Sequence, residues 1–257
     1  MIEWDFSAKR VLVTGASRGI GFHVARAFAN AGAEVCMLAE NDDIASAADA
    51  LRAAGAQASA HVCDVSDRAA VADVIPQLGS LDIVVNNAGI EYMTPIDDPG
   101  DEVENTFRRI IDINLLGAYY VTREVVKGMP DGGRLLYTAS GWSKTGEAGF
   151  GGYTASKHGI LGLTRCLAYE LASRKITVNS VCPGWVKTEL SMRSLHTMAE
   201  QEQRAPEAIM DEILATQARH ELLEPEDVVA TYLFLASEEG GNITGQGVNI
   251  DHGWVMS

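Results

Sequence analysis

The chain contains 257 residues, of which 47% are hydrophobic and 21% are charged, and its formal net charge at pH 7 is −15. This length and composition fit one globular domain with a substantial core. The negative charge argues against nucleic acids and anionic membranes as partners, and no apolar run reaches the roughly 18 residues that a transmembrane helix needs.

The N-terminal segment and the cysteines indicate a cytoplasmic protein. Residues 1–5 lack the basic stretch, followed by an apolar stretch, with which a secretory signal peptide begins. The four cysteines, Cys36, Cys63, Cys166 and Cys182, form no C-x-x-C pair. We therefore expect reduced thiols in a cytoplasmic protein and no metal site.

The first predicted element is a strand at 10–14, a short apolar run that leads into the glycine-rich segment GASRGIG at 15–21. A helix follows at 22–30 and is closed by Gly32. A strand, a glycine-rich turn and a helix in this order aim backbone N–H groups and a helix N-terminus at a phosphate. The segment could be no more than a tight turn, but its context favours dinucleotide binding.

Strands and helices alternate along the rest of the chain, which predicts βαβ units. We expect an α/β, doubly wound parallel sheet of about seven strands with helices on both faces, in a single domain that spans 1–257. Residues 185–223 form a long polar insertion, which we expect to act as a substrate lid. The further predicted strands are 34–38, 58–63, 81–85, 133–139, 176–182 and 247–250, and the further predicted helices are 43–54, 67–77, 101–127, 153–173 and 225–236.

Tyr153 and Lys157 are the first candidates for chemistry. Four residues apart on a predicted helix, they stand on one face, one turn from each other. A phenol has a pKa of about 10, and a nearby ammonium group lowers it, so that the tyrosine can exchange a proton with an alcohol. A solvated helix pair is the more common use of this spacing, so the assignment depends on the surrounding motifs.

Five sets of residues in order along the chain support that assignment. They are the loop at 14–21, the Asn-Asn-Ala-Gly segment at 86–89, the segments at 183–188 and 243–253, and four polar residues: Asn114, Ser140, Tyr153 and Lys157. Together they resemble the motifs of the short-chain dehydrogenase/reductase family, over essentially the whole chain. The resemblance implies a Rossmann-like fold and an NAD(P)-dependent oxidoreductase that acts on a secondary alcohol or ketone. His252 stands where a second glycine is common in the family.

The resemblance also implies a role for each of the four polar residues. Tyr153 is the general acid and base, and Lys157 lowers its pKa and binds the nicotinamide ribose. Ser140 donates a hydrogen bond to the same substrate oxygen and stabilises the charge that develops there. Asn114 holds a water molecule or a backbone kink that links Lys157 to solvent, or it merely caps a helix irregularity.

Cofactor contacts follow from the same resemblance. The glycine-rich loop is expected to surround the phosphates and the adenosine ribose, and the end of the third strand to meet the adenine. The fourth-strand motif and the loop after the sixth strand are expected to hold the nicotinamide side. The implied residues are Gly15, Ser17, Arg18, Ile20, Gly21, Asp64, Val65, Asn87, Ala88, Gly89, Val186 and Thr188, together with Tyr153 and Lys157. For Asp64, a helix N-terminal cap is the alternative.

The end of the second strand bears on the choice between NAD and NADP. An Asp that favours NAD in this family is replaced here by Ala39, which leans toward NADP. The next residue, Glu40, repels a 2′-phosphate and can bind ribose hydroxyls instead. Arg18 is a phosphate candidate, but Asp42 and Asp43 oppose it, although both carboxylates could simply favour a helix N-terminus. The balance favours NAD modestly, and NADP stays possible.

Substrate contacts are expected from Glu91, Trp142 and Trp185, which follow predicted strands. An aromatic set with one carboxylate suggests a neutral or partly apolar secondary alcohol or ketone, and a polyol bound by Glu91 is one option. The aromatic residues could equally serve lid packing. Further candidates are Tyr92, Gly141 and Phe150.

Two narrower activities and one non-catalytic role stay open. The segment at 182–186 resembles 3-hydroxybutyrate dehydrogenases, but only Lys144 is a nearby candidate to hold their carboxylate. The segments at 153–159 and 179–184 resemble NADPH-dependent 3-oxoacyl ketoreductases acting on a carrier protein or coenzyme A. Arg174 and Lys175 could help to dock an acidic carrier, which the charge of −15 opposes. A dinucleotide-sensing scaffold on the same fold is the non-catalytic alternative.

The helices that begin near 101 and 153 carry more apolar residues than one core face needs. The family commonly pairs these helices between subunits, and we therefore expect a homo-oligomer, a tetramer or a dimer, with two-fold interfaces. The apolar residues are Ile110, Ile113, Tyr119, Tyr120, Leu163 and Leu167.

Overall fold

The computed structural model describes residues 4–256, and these contain one seven-stranded sheet. The strands are β1 (Arg10–Thr14), β2 (Glu34–Ala39), β3 (Ala58–Val62), β4 (Ile83–Asn86), β5 (Arg134–Thr138), β6 (Thr177–Pro183) and β7 (Gly247–Ile250). All neighbouring strands are parallel, in the order β3-β2-β1-β4-β5-β6-β7. The order reverses between β1 and β4, where ligands bind in sheets of this kind.

Helices cover both faces of this sheet. They are α1 (Gly19–Asn30), α2 (Asp43–Ala53), α3 (Arg68–Gln77), α4 (Asp101–Ile111), α5 (Ala118–Val125), α6 (Gly151–Glu170), α7 (Glu189–Glu202), α8 (Pro206–Ala215) and α9 (Pro225–Ala236). One core contains Phe28 of α1, Ile44 of α2 and Tyr232 of α9. The other contains Ile75 of α3 and Val125 of α5. The predicted doubly wound parallel α/β fold is confirmed.

The helix predicted at 101–127 is not continuous. A π-helix at Asp112–Gly117 separates α4 from α5, and Asn114 lies within it. The Asn114 side chain donates to the Ile90 carbonyl oxygen at 2.9 Å and accepts from the Ile90 N–H at 2.8 Å. A wider turn accommodates a side chain that is committed to a neighbouring loop rather than to its own helix. Apolar periodicity alone could not reveal this interruption.

The insertion at 185–223 contains α7 and α8 and lies beside the carboxyl end of the sheet. Leu195 of α7 and Ile209 of α8 are buried in a third cluster, together with Trp142, Tyr153 and Trp185. The two helices are therefore anchored to the candidate catalytic residues by apolar contacts. Whether they move as a lid stays a prediction.

Several expectations concern the surroundings of the protein rather than its fold. Among residues 4–256, no helix combines the length and the apolar character needed to cross a membrane. Cys36, Cys63 and Cys182 are buried free thiols, and Cys166 is an exposed one. The expectation about a signal peptide falls on residues 1–5, of which 1–3 lie outside the described range.

Candidate active site

Two cavities lie at the carboxyl ends of the strands and meet at Tyr153. The larger, which we call the long cleft, has a volume of about 1480 Å³ and runs along the ends of β1 to β4. The smaller, which we call the aromatic pocket, has a volume of about 520 Å³. The predicted cofactor residues that line the long cleft are Gly15, Ser17, Arg18, Ile20, Glu40, Asp64, Val65, Asn87, Ala88, Gly89, Tyr153, Lys157 and Thr188.

The N-terminus of α1 suits a pyrophosphate. Arg18 precedes this helix in an extended conformation, no side chain caps it, and its first turn holds no acidic residue. Its first N–H groups are therefore available to an anion, which the helix dipole also attracts. This donor set fits a dinucleotide phosphate.

Two predicted cofactor residues lie away from the wall of the long cleft. Gly21 lies beneath it, where a Cβ atom would be 2.2 Å from the Gly15 carbonyl oxygen and 2.4 Å from the Asn87 Nδ2. Its glycine is therefore required by close packing of α1 on the preceding turn. Val186 lines the aromatic pocket instead and pairs with Leu223 in an isolated β-bridge.

Several polar side chains of the long cleft are committed to local structure. Asp64 accepts from the Ser66 N–H at 2.9 Å and the Ser66 hydroxyl at 2.7 Å, while Asp67 caps α3. Asn87 donates to the carbonyl oxygens of Thr14 and Gly15, both at 3.1 Å. These contacts fix the turns after β1, β3 and β4, so that the backbone around them is preorganised.

The charges at the adenosine end of the cleft differ from a simple count along the sequence. Glu40 is exposed at the cleft wall, and Ala39 before it is buried. Arg18 is paired with Glu189, at 3.6 Å between Nε and Oε2, and both side chains are mostly exposed. Glu189 begins α7, so this ion pair joins the glycine-rich loop to the insertion.

Tyr153, Lys157 and Ser140 come together where the two cavities meet. The Lys157 Nζ lies 5.5 Å from the centroid of the Tyr153 ring and donates to the Thr138 carbonyl oxygen at 2.7 Å. Ser140 follows β5, and its hydroxyl interacts with the Tyr153 phenol. The two hydroxyl groups can therefore hold one substrate oxygen between them.

Burial dominates the acid–base properties of this group. It raises the pKa of Tyr153 well above its usual range, and the Glu91 carboxylate adds to the rise. Burial also lowers the pKa of Lys157 to about 8 and raises the pKa of Glu91 to about 7, although the Ser194 hydroxyl and the Lys157 charge oppose that second rise. The expected lowering of the Tyr153 pKa by Lys157 is therefore not found, because desolvation and Glu91 favour the neutral phenol.

Asn114 does not line either cavity. It is buried, and besides its two bonds to Ile90 it donates to the Ser156 hydroxyl at 3.1 Å. Ser156 in turn donates to the Tyr153 carbonyl oxygen at 2.7 Å. Asn114 thus connects the π-helix with the first turns of α6, which is the helix-irregularity role considered above.

All three predicted substrate residues, Glu91, Trp142 and Trp185, line the aromatic pocket. The Trp142 ring lies 5.7 Å from the Tyr153 ring and 6.0 Å from the Trp185 ring, both in edge-to-face contact. Phe150 is fully buried behind Trp142. The predicted aromatic wall next to the tyrosine is thus present in the structure.

Two other candidates lie elsewhere. Tyr92 lines the long cleft, where the Arg193 guanidinium stacks over its ring at 4.3 Å. The Lys144 ammonium donates to the Gly247 carbonyl oxygen at 2.9 Å and does not line the aromatic pocket. A carboxylate substrate therefore finds no partner in Lys144.

Trp254 is a wall of the aromatic pocket that the sequence reasoning missed. It lies in the segment after β7, which Asp251 fixes by accepting from the N–H groups of Gly253 at 3.0 Å and Val255 at 2.9 Å. At Gly141 a Cβ atom would lie 2.3 Å from Cζ3 of the Trp254 ring. The available signal was a tryptophan just beyond a strand that ends at the same edge as β5 and β6.

Known proteins resemble this chain over nearly its whole length. A family model described as enoyl-(acyl carrier protein) reductase matches residues 15–255. The D-beta-hydroxybutyrate dehydrogenase of Cupriavidus necator is 35% identical, with 97% of this chain and 98% of that protein covered. A 3-oxoacyl-(acyl-carrier-protein) reductase of Rickettsia conorii is 34% identical, with 98% and 99% covered.

A solved structure extends this similarity to the fold. A protein of Beutenbergia cavernae, described as an NAD(P) dependent gluconate 5-dehydrogenase with NADP bound at low occupancy, superposes with a TM-score of 0.88 at 31% identity. The superposition covers 100% of both chains. The chain therefore belongs to the short-chain dehydrogenase/reductase family, whose members are NAD(P)-dependent oxidoreductases.

Proposed function

We propose that this oxidoreductase interconverts a secondary alcohol and a ketone, with Tyr153 as its general acid and base. The observation that carries the proposal is the position of the Tyr153 phenol. It lies between an apolar pocket and a cleft whose turns suit a dinucleotide. A substrate oxygen at this phenol has its carbon next to the nicotinamide end of the cleft.

The side chains around the phenol handle the proton. In reduction, Tyr153 donates its proton to the oxygen of the carbonyl group, and in oxidation it accepts the proton of the alcohol. The Ser140 hydroxyl donates a hydrogen bond to the same oxygen and stabilises its negative charge. Lys157, with its ammonium near the ring, stabilises the phenolate that remains. The cofactor supplies or accepts the hydride when it is bound.

The long cleft is the proposed cofactor site. The free N–H groups at the start of α1 suit the pyrophosphate, and Lys157 is close enough to the nicotinamide side to bind the ribose. The proposed cofactor residues are Gly15, Ser17, Arg18, Ile20, Glu40, Asp64, Val65, Asn87, Ala88, Gly89, Tyr153, Lys157, Val186 and Thr188, with Gly21 as a packing residue.

NAD remains the favoured cofactor in this proposal. Glu40 supports it, because an exposed carboxylate at the cleft wall repels a 2′-phosphate and can accept bonds from ribose hydroxyls. Arg18 supports NADP less than its sequence position suggests, because Glu189 partly neutralises it. The bound NADP of the structurally similar protein supports the other choice. Fluorescence titrations with NADH and NADPH decide between them.

The test of the catalytic assignment is Tyr153→Phe. We expect kcat to fall by about 100-fold to 10,000-fold, the usual contribution of a positioned acid or base, while cofactor affinity stays unchanged. Tyr169→Phe is the matched control, because Tyr169 is on the same helix and is 88% exposed. Full activity of Tyr153→Phe on a substrate of the wild-type enzyme would contradict the role of Tyr153. Cofactor binding without turnover of any alcohol or ketone by the wild type would favour the sensing scaffold.

A second candidate function is reduction of 3-oxoacyl thioesters with NADPH. Its support is the similar reductase of Rickettsia conorii. Docking of an acidic carrier finds little help from Arg174, whose guanidinium bonds the Val126 carbonyl oxygen at 2.8 Å and Asp131 at 3.2 Å. Turnover of acetoacetyl-coenzyme A at rates above those of simple ketones would favour this candidate.

Self-association is a further part of the proposal. The apolar surface that supports it differs from the expected one, because Ile110 and Ile113 are buried within the chain itself. Phe107 of α4, Tyr119 of α5 and Tyr169 of α6 are 39%, 40% and 88% exposed. These large exposed side chains fit a two-fold homo-oligomer, dimer or tetramer. A monomer mass in light scattering at micromolar concentration would contradict it.

The insertion and the cellular location complete the proposal. Residues 185–223 are proposed to act as a lid within one domain that spans 1–257. The ion pair between Arg18 and Glu189 and the bond from Arg193 to the Glu91 carbonyl oxygen are consistent with closure over the cavities. The buried free thiols of Cys36, Cys63 and Cys182 fit a cytoplasmic protein with a small-molecule substrate.

A further inference from the structure

Glu91 is the buried group whose role the proposed reaction leaves open. Its side chain lines the aromatic pocket although the residue is only 6% exposed. Besides Tyr153, it is the only acid or base that the described residues contribute to the pocket wall. Burying a carboxyl group is costly unless it finds partners, so its presence among tryptophan rings calls for a reason.

The neighbours of Glu91 fix its position. Its carboxyl group interacts with the Ser194 hydroxyl and the Tyr153 phenol, and the charges of Lys157 and Arg193 act on it. Its main-chain carbonyl oxygen accepts a bond of 3.1 Å from Arg193 Nη2. The carboxyl group is therefore held beside the phenol to which the reacting substrate oxygen binds.

The walls around this carboxyl group are apolar. Trp142, Trp185 and Trp254 contribute the largest surfaces, and no Lys, Arg or His of the described residues lines the pocket. A substrate carboxylate would face Glu91 with no cation of the pocket to pair with. A substrate ammonium gains little, because Lys157 and Arg193 already offset the charge of Glu91. A neutral hydrogen-bond donor suits the carboxyl group better than either ion.

We propose that Glu91 selects the substrate by accepting a hydrogen bond from a hydroxyl group on the carbon next to the reacting carbon. The pocket then takes neutral vicinal diols and α-hydroxy ketones with an apolar remainder and rejects hydroxy acids and oxo acids. This inference rests on the proposed alcohol and ketone chemistry at Tyr153. It narrows that chemistry to one substrate class.

Three ketones with a common benzene ring test the selection. Phenylacetone has no second polar group, phenylacetylcarbinol adds a hydroxyl group next to the carbonyl, and phenylpyruvate adds a carboxylate. The ring matches the tryptophan walls, and quenching of tryptophan fluorescence reports binding. The protein is saturated with oxidised cofactor, so that no hydride is transferred to the ketone during the titration.

We expect the wild type to bind phenylacetylcarbinol about 10-fold more tightly than phenylacetone, as one hydrogen bond to a charged group predicts. Phenylpyruvate should bind more weakly than phenylacetone. Glu91→Met, which removes the acceptor at similar volume, should reduce both differences to about 3-fold or less. Glu91→Gln should remove the rejection of phenylpyruvate. Glu207→Gln, at an exposed carboxylate of α8, should keep the wild-type order.

An unchanged order of affinities in Glu91→Met would overturn the inference, as would a wild type that binds none of the three ketones. Turnover with reduced cofactor separates this result from the proposed function. The expected binding order without turnover would contradict the alcohol and ketone chemistry but not the selection. Turnover without any preference for the hydroxy ketone would contradict the selection alone.

Discussion

The long cleft and the aromatic pocket share Tyr153 but are built in different ways. The cleft is lined by turns that directly follow β1 to β4, each a short contiguous motif. The pocket is lined by Glu91, Trp142, Trp185 and Trp254, which the chain brings together from widely separated segments. Local turns determine the cleft, and long-range packing determines the pocket. The difference explains why sequence motifs identify the cofactor chemistry more readily than the substrate.

Gly21→Ala should break the cleft and have the largest effect. A Cβ atom there would be 2.2 Å from the backbone oxygen of Gly15, so α1 must move away from the turn that binds phosphate. We expect cofactor affinity to fall by about 100-fold or more, or the protein to unfold, because packed backbone cannot yield as a side chain does. Nicotinamide fluorescence and thermal melts measure the two effects.

The control for this substitution is Gly128→Ala, since a Cβ atom at Gly128 meets nothing within 4 Å. It should leave cofactor affinity and melting temperature near the wild-type values. Normal cofactor affinity in a folded Gly21→Ala variant would show that close packing of α1 is not what forms the phosphate site.

Gly141→Ala should break the pocket and spare the cleft. Its Cβ atom would lie 2.3 Å from the Trp254 ring, so the ring must shift. We expect unfolding free energy to fall by about 1–3 kcal/mol, the usual cost of overpacking, and kcat/KM to fall while cofactor affinity is kept. A double-mutant cycle with Trp254→Leu measures the coupling. Additive effects of the two substitutions would contradict a direct contact between residue 141 and the Trp254 ring.

The same division explains what the sequence could predict. The glycine-rich loop, the polar strand ends and the spacing of Tyr153 and Lys157 are local, and periodicity located nearly all strands to within two residues. Trp254 is not local: its place depends on the bonds of Asp251 to the C-terminal segment. The π-helix around Asn114 was hidden for a similar reason, because the bonds that accompany it reach across the fold to Ile90.

The pKa of Tyr153 shows the limit of a pairwise argument. Spacing along a helix predicts that Lys157 lies close, and the structure agrees. Spacing cannot predict desolvation or a carboxylate from the loop after β4, which together raise the pKa of the phenol. Electrostatic expectations from sequence therefore hold for exposed pairs better than for buried groups.

Glu91→Gln should raise stability in one range of pH. Burial raises the pKa of Glu91 from 4.5 to about 7 in the folded protein. Between these values the folded state binds more protons than the unfolded state, so stability falls as pH rises through about 7. At pH 8 the variant should therefore be more stable than the wild type by up to about 3 kcal/mol, and near pH 4.5 the gain should vanish.

Urea unfolding across this pH range measures the difference for Glu91→Gln. Glu207→Gln serves as the control, because an exposed carboxylate should give no pH-dependent gain. A gain of equal size at pH 4.5 and pH 8 would mean that packing rather than charge distinguishes the variant. Loss of stability at pH 8 would mean that Glu91 is better paired than its burial suggests.

Glu189→Gln should have the smallest effect, and it acts on the cleft alone. Glu189 lies 3.6 Å from Arg18, and both side chains are mostly exposed. Such a pair is worth about 1 kcal/mol or less, so releasing Arg18 should raise NADPH affinity by about 2-fold to 5-fold. NADH affinity should stay constant, because NADH lacks the 2′-phosphate to which Arg18 can bind. The gain should shrink as salt screens the exposed charges. Titrations of both cofactors at low and high salt measure this, with Glu207→Gln as control. An equal change for NADH and NADPH would place Arg18 at the pyrophosphate, and cofactor choice would then depend on Glu40.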